Sequence, residues 1–431
     1  MKHVVTELTL DNGAKGLLIH IPGATVMSYE LNFRAGEYLV ERKKWETPHL
    51  MEHVLLGANE LFPRARMFQS EFEKNGAYSN ASTGTYDITY EAECADFEWQ
   101  RILDLLLTAI ARPLFLEEEF TAEFGNVREE LTARSNNHFR HLSLALREQY
   151  GFAVMTDQER LKMMDNVSVA DITEHYQATH TSSNLRFVIA GKITAARQKA
   201  IQSRLSSIAL PDGETRLELP DEPVKRITAP LFIANQTIDN IYFYIDTFLS
   251  RRLNDGENDS LNLINSMLTE TLYSRILGTA RERGLVYHMS SGIGQTKSNT
   301  NWWFGAQILP DNAEALFQII ITELSRVFSG DVALKDIRAA KQYALGRHQR
   351  SQQTVGGTAA GYSYRYFFDE AIDDYYKIPK RIRNITRQGI VDVSKDLFSE
   401  NIWGMGVLGG KGSEELANKL HKKVRPLWRN K

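Results

Sequence analysis

Cysteine is almost absent from this chain of 431 residues, and long apolar runs are missing altogether. The single Cys94 excludes an intrachain disulfide and is compatible with a reducing compartment. No stretch approaches the roughly 18 apolar residues that a membrane span needs. Residues 1–7 have neither the apolar core of a secretory signal nor an Arg- and Ser-rich transit character. We therefore expect a cytoplasmic protein with no membrane partner.

Strong charge of one sign is also missing. The net charge is −3, and no basic run with interleaved aromatic residues occurs, so we expect no nucleic-acid partner. Hydrophobic residues make up 42% of the chain and charged residues 24%, which is ordinary for a globular protein. At 431 residues the chain is longer than one core usually covers, which favours two domains.

The feature that carries chemistry is an H-x-x-E-H motif formed by His49, Glu52 and His53. An interval of four residues stacks two imidazoles one turn apart on the same helix face, where both can bind one metal ion. Glu52 leaves that face beside any water that the metal holds. The pattern is the inverzincin signature, the reverse of the zincin helix. Two surface histidines on a charged helix are the alternative interpretation.

A catalytic zinc site needs a third protein ligand and keeps its fourth position for water. Residues 115–150 predict one or two long amphipathic helices. Within them, Glu123 and Glu130 are seven residues apart, hence two turns apart on one face, and each can supply a carboxylate. Spacing alone does not choose among the glutamates of this segment.

Together these residues resemble the pitrilysin/insulinase family of zinc metallopeptidases, which includes the mitochondrial processing peptidases. In that family a V-x-x-E-L motif on a second helix supplies the third ligand, and residues 127–131 match it. The resemblance implies that Glu130 binds Zn²⁺ with the two histidines, that Glu123 supports a ligand from behind, and that Glu52 is the general base. Glu129 is the alternative ligand, since a shift of one residue rotates a side chain by about 100°.

Residues 75–90 resemble the family's G-x-x-x-N-A-x-T strand motif. This implies that Asn80 and Ala81 hold a peptide substrate, which would add a strand to an exposed sheet edge. The alternative is an ordinary turn that leads into a strand.

Residues 281–287 are similar to the family's R-E-x-x-G-L-x-Y segment, whose arginine and tyrosine reach the substrate carbonyl. Here the interval is one residue shorter, so the family's arginine position falls on Ala280 and Arg281 is displaced from it. The resemblance implies that Tyr287 donates to the oxyanion and that Arg281, although displaced, binds the substrate. A tyrosine that starts a half-buried strand is the alternative.

Residues 210–230 contain four prolines and many charges, as a linker does. The two halves echo one another, since residues 184–192 resemble residues 401–411. We predict an α+β fold of two similar domains, each a mostly antiparallel sheet with helices packed on one face. Residues 1–212 would form the zinc-binding domain, and residues 213–431 a second domain without a metal motif that completes a substrate chamber.

The resemblance implies a zinc-dependent endopeptidase that hydrolyses small or unfolded peptides in an enclosed chamber, as a homodimer or as a heterodimer with a related subunit. A catalytically silent subunit would usually have lost the His or Glu residues, which are all present here. A non-proteolytic peptide-binding or peptide-maturation subunit would need the chamber but not Glu52. A structural zinc site would need a fourth protein ligand, for which Cys94 is the only thiol.

Overall fold

A computed structural model describes residues 1–428 of the chain. Its strands are β1 Val4–Thr9, β2 Lys15–His20, β3 Val26–Phe33, β4 Tyr78–Thr83, β5 Ile88–Ala95, β6 Arg186–Gly191, β7 Leu231–Ala234, β8 Ile241–Leu249, β9 Met289–Gln295, β10 Thr300–Ile308 and β11 Trp403–Gly409. Its α-helices are α1 Thr47–Leu55, α2 Ala65–Glu73, α3 Trp99–Ala111, α4 Glu117–Ser135, α5 His138–Gln149, α6 Asp157–Met163, α7 Val169–Thr179, α8 Ala195–Ser206, α9 Asp255–Asn265, α10 Arg275–Glu282, α11 Ala313–Phe328, α12 Leu334–Ser351, α13 Val355–Asp369, α14 Ile378–Asn384, α15 Arg387–Ser399 and α16 Ser413–Val424.

The described residues form two compact units, and each half of the chain contributes one segment to the unit built mainly by the other half. Unit 1 comprises Met1–Arg134, Asp157–Pro220 and Gln349–Asp373. Unit 2 comprises Ser135–Thr156, Asp221–His348 and the described residues from Asp374 onward. The predicted division between residues 212 and 213 falls close to the passage from Pro220 to Asp221. That division does not include two exchanged segments: Ser135–Thr156 belongs to unit 2, and Gln349–Asp373 belongs to unit 1.

Unit 1 is built on a six-stranded sheet with the strand order β1-β2-β6-β3-β5-β4. Its neighbouring strands are antiparallel except for the parallel pair of β2 and β6. Alternation along β3 separates the two faces, because Tyr29 and Leu31 are buried in the core that includes α1 and α3. Glu30 points to the other face, where its carboxylate accepts a hydrogen bond from Ser363 of α13. This contact explains why a helix from the second half belongs to unit 1.

Unit 2 is built on a five-stranded sheet with the order β7-β11-β8-β10-β9, in which only β7 and β11 are parallel. Phe243 of β8 is buried in a core with helices of the second half. Tyr244 faces the other way and packs in a separate cluster with Leu142 and Leu146 of α5. The apolar face of α5 is therefore buried on this sheet, which places the helix in unit 2.

The α+β fold class predicted from the sequence is confirmed: each unit has a mostly antiparallel sheet with helices covering one face. Helices α13 and α5, which pack on the opposite faces of the unit 1 and unit 2 sheets, are an addition to that prediction. The segment 115–150 forms two helices, α4 and α5, which lie in different units. Among the described residues, no helix combines the length and the apolar character required to cross a bilayer.

Candidate metal centre

Helix α1 places the two imidazoles of the H-x-x-E-H motif next to each other. Pro48 in its first turn has the fixed φ that suits a helix start. Leu50 and Met51 are fully buried in the core of unit 1 and fix the rotation of the helix. His49 and His53 then share another face, with ring centroids 5.0 Å apart and ring planes at 78°.

The carboxylate of Glu130, on α4, faces both imidazoles. Its Oε2 lies 3.3 Å from His49 Nε2 and 3.6 Å from His53 Nε2. Ligand atoms about 2.0–2.1 Å from a tetrahedral ion are about 3.3 Å from one another, so these separations fit the edges of one tetrahedron. Glu129 is exposed on the same helix, whereas Glu130 is partly buried. The fold therefore brings Glu130, and not Glu129, to the histidines.

A carboxylate holds the other ring nitrogen of each histidine. Glu123 Oε2 lies 3.0 Å from His53 Nδ1 and also accepts a hydrogen bond from Asn126. Glu46 Oε2 lies 3.0 Å from His49 Nδ1. Such a partner fixes the orientation of the ring and leaves the other nitrogen available to a metal ion. Sequence reasoning found Glu123 but missed Glu46, for which the available signal was a glutamate three residues before His49.

Protons and a cation would compete for these ring nitrogens. Burial opposes protonation of His53, but hydrogen bonds with Glu123 and Glu130 outweigh it and raise its pKa to about 10. Burial likewise opposes protonation of His49, yet Glu130 and Glu46 raise its pKa. Hydrogen bonds from both histidines hold the pKa of Glu130 far below its ordinary value. The carboxylates around the imidazoles thus favour a positive charge at this place, whether proton or metal.

Glu52 is buried beside the ligand candidates. It accepts a 3.1 Å hydrogen bond from Thr83 Oγ1, and ligand atoms of His49, Glu52 and His53 lie within 4.8 Å of one another. Proximity alone would therefore allow Glu52 as a ligand, but Glu130 is the carboxylate whose distances match tetrahedral edges. Burial raises the pKa of Glu52 by more than the neighbouring histidines lower it. A carboxylate in this environment is suited to accept and release a proton.

Strand β4 lies at the open edge of the unit 1 sheet, where it pairs only with β5. Residues 79–83 of this strand line a cavity of about 540 Å³ together with the His and Glu side chains of the motif. The Asn80 side chain donates a 3.0 Å hydrogen bond to Glu91, and Ala81 packs against the core of the unit. Asn80 and Ala81 therefore lie on a free sheet edge that shares a cavity with the metal-ligand candidates.

Tyr287 and Arg281 lie in unit 2. Tyr287 is 81% exposed and lies two residues before β9, a largely half-buried strand that begins at Met289. It lines a cavity of about 480 Å³ within unit 2. The Arg281 guanidinium lies 4.2 Å from the Tyr287 ring centroid and donates to the Tyr287 backbone carbonyl. The two residues are thus in contact with each other, while their roles at a substrate carbonyl stay a prediction.

Cys94, the only thiol available to a structural zinc site, is buried on β5 opposite Met27 of β3. It is not among the residues that line the cavity beside the histidines. Burial raises the pKa of the thiol to about 12, which disfavours the thiolate that a metal ion requires. Cys94 therefore gives the structural-zinc alternative no support.

Comparison with known proteins supplies an independent view. The family described as insulinase (peptidase family M16) matches residues 17–157, and the family described as peptidase M16 inactive domain matches residues 166–343. The first match contains the histidines and Glu130, whereas the second contains none of the metal-ligand candidates. Protease 3 of Escherichia coli (strain K12) is 28% identical over 134 residues, which are 31% of this chain and 14% of that relative.

Solved structures with the same fold cover nearly the whole chain. A protease from Helicobacter pylori aligns with a TM-score of 0.83 and 16% identity, covering 94% of this chain and 100% of that one. A peptidase M16 inactive domain from Pseudomonas fluorescens has the same TM-score and identity, covering 94% of this chain and 98% of the other. A putative M16-like peptidase from Alicyclobacillus acidocaldarius aligns with a TM-score of 0.75 at 14% identity, covering 95% and 98%. These likenesses show the two-domain fold.

Proposed function

Because this chain belongs to the insulinase family of peptidases, family M16, we propose that it is a zinc-dependent endopeptidase that acts on small or unfolded peptides. The matches to the curated relatives cover only a small part of their length, so the activity rests on the chain's own residues. The family resemblance and the geometry of unit 1 both support His49, His53 and Glu130 as the side chains that would bind the metal.

The observation that carries this proposal is the position of Glu130 Oε2, 3.3 Å and 3.6 Å from the Nε2 atoms of His49 and His53. Two imidazoles and one carboxylate are a donor set that zinc accepts in catalytic sites, with the fourth position left to water. When bound, zinc would lower the pKa of that water to about 7 and polarise a carbonyl oxygen. His49, His53 and Glu130 are therefore proposed as the zinc ligands.

Glu52 is proposed as the general base. Its carboxylate takes a proton from the attacking water and later delivers it to the leaving amine. The hydrogen bond from Thr83 Oγ1 to Glu52 Oε2 holds the carboxylate in place, and this threonine lies on the edge strand β4. The raised pKa of Glu52 makes it a better proton carrier near neutral pH than an ordinary exposed glutamate.

The substrate is proposed to bind β4 as an additional strand. Backbone hydrogen bonds to residues such as Asn80 and Ala81 would hold any extended peptide, whatever its side chains, and this favours unfolded substrates. The phenol of Tyr287 is proposed to donate a hydrogen bond to the oxyanion of the tetrahedral intermediate. Arg281, which stacks on Tyr287, would orient that ring.

The family resemblance also implies a homodimer or a heterodimer with a related subunit, which would enclose a chamber, and the single Cys94 is compatible with a cytoplasmic location. We include both in the proposal. Light scattering of the purified chain measures its subunit association, and cell fractionation measures its location.

The proposed activity is tested by metal analysis and by turnover of a mixed peptide library on the same preparation. We expect about one zinc per chain, internal cleavage of extended peptides, loss of cleavage with a chelator and recovery with added zinc. The matched control is His53→Ala, which should contain no tightly bound zinc. A chain that holds zinc but cleaves no peptide would contradict the peptidase assignment and favour a non-proteolytic peptide-binding subunit.

A further inference from the structure

The two proposed histidine ligands differ in the carboxylates that contact their Nδ1 atoms. His53 is backed by Glu123, whose side chain is 20% exposed, whereas His49 is backed by Glu46, whose side chain is fully buried. Glu46 is the residue that precedes α1, one turn before His49. Its Oε2 lies 3.0 Å from His49 Nδ1, so a rigid Glu46 would also fix the ring of His49.

Arg160 makes Glu46 rigid. From α6, 114 residues away in sequence, the Arg160 guanidinium donates to both carboxylate oxygens of Glu46, with Nε 2.5 Å from Oε1 and Nη2 3.0 Å from Oε2. This two-point contact fixes the plane of the carboxylate as well as its position. Glu37 lies 3.1 Å from Arg160 on the other side, and all three side chains are at least nine-tenths buried.

The direction of the hydrogen bond to His49 follows from the chemistry of Glu46. An ionised carboxylate only accepts, so His49 Nδ1 must carry the proton. The ionised form is favoured because the Arg160 guanidinium donates to both oxygens of the Glu46 carboxylate. In neutral His49 the lone pair is then on Nε2, which is the nitrogen that faces Glu130.

We propose that Glu46 is a positioning residue for the metal centre: clamped by Arg160, it fixes the ring and the tautomer of His49 and thereby strengthens metal binding. The inference rests on the proposed function, because it takes His49 as a zinc ligand. It assigns no contact between Glu46 and either the metal or the substrate. Sequence distance hides this arrangement, since Arg160 follows the motif by more than a hundred residues.

The first test is the zinc affinity of the full chain in Glu46→Gln, measured by competition with a chromophoric chelator. Loss of a carboxylate that supports a metal-bound histidine typically weakens metal binding about 10–100-fold, and we expect that range. The matched control is Glu370→Gln. Glu370 also pairs with two arginines of unit 1, the buried Arg186 and the partly buried Arg216, but is not part of the metal centre. We expect unchanged affinity in this control.

The second test does not require a variant. In the zinc-free wild type, at a pH high enough for His49 to be neutral, nitrogen NMR of the histidine rings should show His49 protonated at Nδ1, with slow exchange of that proton because Glu46 is fully buried. In Glu46→Gln the amide can also present its NH₂ group, so the preference for the Nδ1–H form should weaken. A wild-type His49 protonated at Nε2 would overturn the proposal even if the variant failed to fold.

Different results would refute the zinc site and the positioning role of Glu46. Wild type that binds zinc tightly, together with Glu46→Gln of equal affinity and unchanged tautomer, would refute the positioning role alone. Wild type that binds no zinc would refute both. Reduced zinc affinity in Glu46→Gln supports the role only if thermal unfolding of the metal-free protein shows a folded variant. A similar loss in Glu370→Gln would instead attribute the effect to general destabilisation and refute the specific role.

Discussion

Replacement of Glu130 by Gln, compared with the same replacement of the neighbouring Glu129, tests the proposed third zinc ligand. Both changes keep the side-chain size and remove one negative charge from α4. Only Glu130 faces the imidazoles, with its Oε2 3.3 Å from His49 Nε2, while Glu129 is exposed. A purely electrostatic effect of the helix charge would therefore appear in both variants, and loss of a ligand in only one.

The expected loss of zinc-binding free energy in Glu130→Gln exceeds the contribution of the other contacts of Glu130. Loss of a residue that merely supports a ligand costs about 10–100-fold in metal affinity, so loss of a ligand itself should cost more than about 100-fold, or about 2.7 kcal/mol. Glu130 also pairs with Arg134, but their side chains are 34% and 43% exposed, and an exposed pair is worth at most about 1 kcal/mol. The ligand effect therefore dominates.

Zinc affinity by chelator competition and peptide turnover measure the outcome. We expect Glu130→Gln to lose both, and Glu129→Gln to stay within about twofold of the wild type, as a solvated surface residue should. Full zinc affinity and activity in Glu130→Gln, with loss of both in Glu129→Gln, would mean that the ligand assignment on α4 is wrong by one residue.

Three further predictions concern protons, the second unit and stability. Because the pKa of His53 is raised to about 10, this imidazole is protonated at pH 7 in the metal-free chain. Zinc binding should therefore release about one proton or more, and the apparent zinc affinity should rise with pH towards 10. Calorimetry in buffers of different ionisation heat measures the proton release, and zinc binding without it would contradict the prediction. Tyr287→Phe should lower kcat by about 10²-fold with unchanged zinc content if the phenol is an oxyanion donor, and Arg281→Ala should do less, whereas wild-type kcat in Tyr287→Phe would remove that role. Gly305→Ala should destabilise unit 2 by about 1–3 kcal/mol, because a Cβ there would lie 2.2 Å from a backbone carbonyl oxygen. Gly346→Ala should instead stabilise the protein by about 0.5–1 kcal/mol, because Gly346 is exposed on α12 with open space where a Cβ would lie. Equal effects of the two variants in chemical unfolding would refute this packing argument.

The residues at the core of the candidate metal centre follow from local sequence. The four-residue interval of His49 and His53 and the seven-residue interval of Glu123 and Glu130 are helix periods, and helix geometry alone puts each pair on one face. What the sequence could not provide was the rotation of α4 relative to α1. The packing of buried residues such as Val127 against the core sets this rotation and decides between neighbouring glutamates.

Contacts between distant segments account for what sequence reasoning missed. The ion pair of Glu46 and Arg160 joins residues 114 positions apart and has no periodic signature. Helices α5 and α13 each carry apolar residues that would suit either sheet, so their places in the units depend on tertiary packing. The strand and linker patterns of each half nevertheless predicted the two sheets, because alternation along a strand is also local.

The most direct test of the account is Glu52→Gln, with zinc content and steady-state peptide hydrolysis measured on the same sample. Glu52 lies beside the ligand candidates but is not assigned as a ligand, so the variant should keep about one zinc per chain. Its kcat should fall by about two to four orders of magnitude, the usual contribution of general acid–base catalysis. Loss of zinc would make Glu52 a ligand rather than the base, and zinc retained with wild-type kcat would contradict the proposed mechanism.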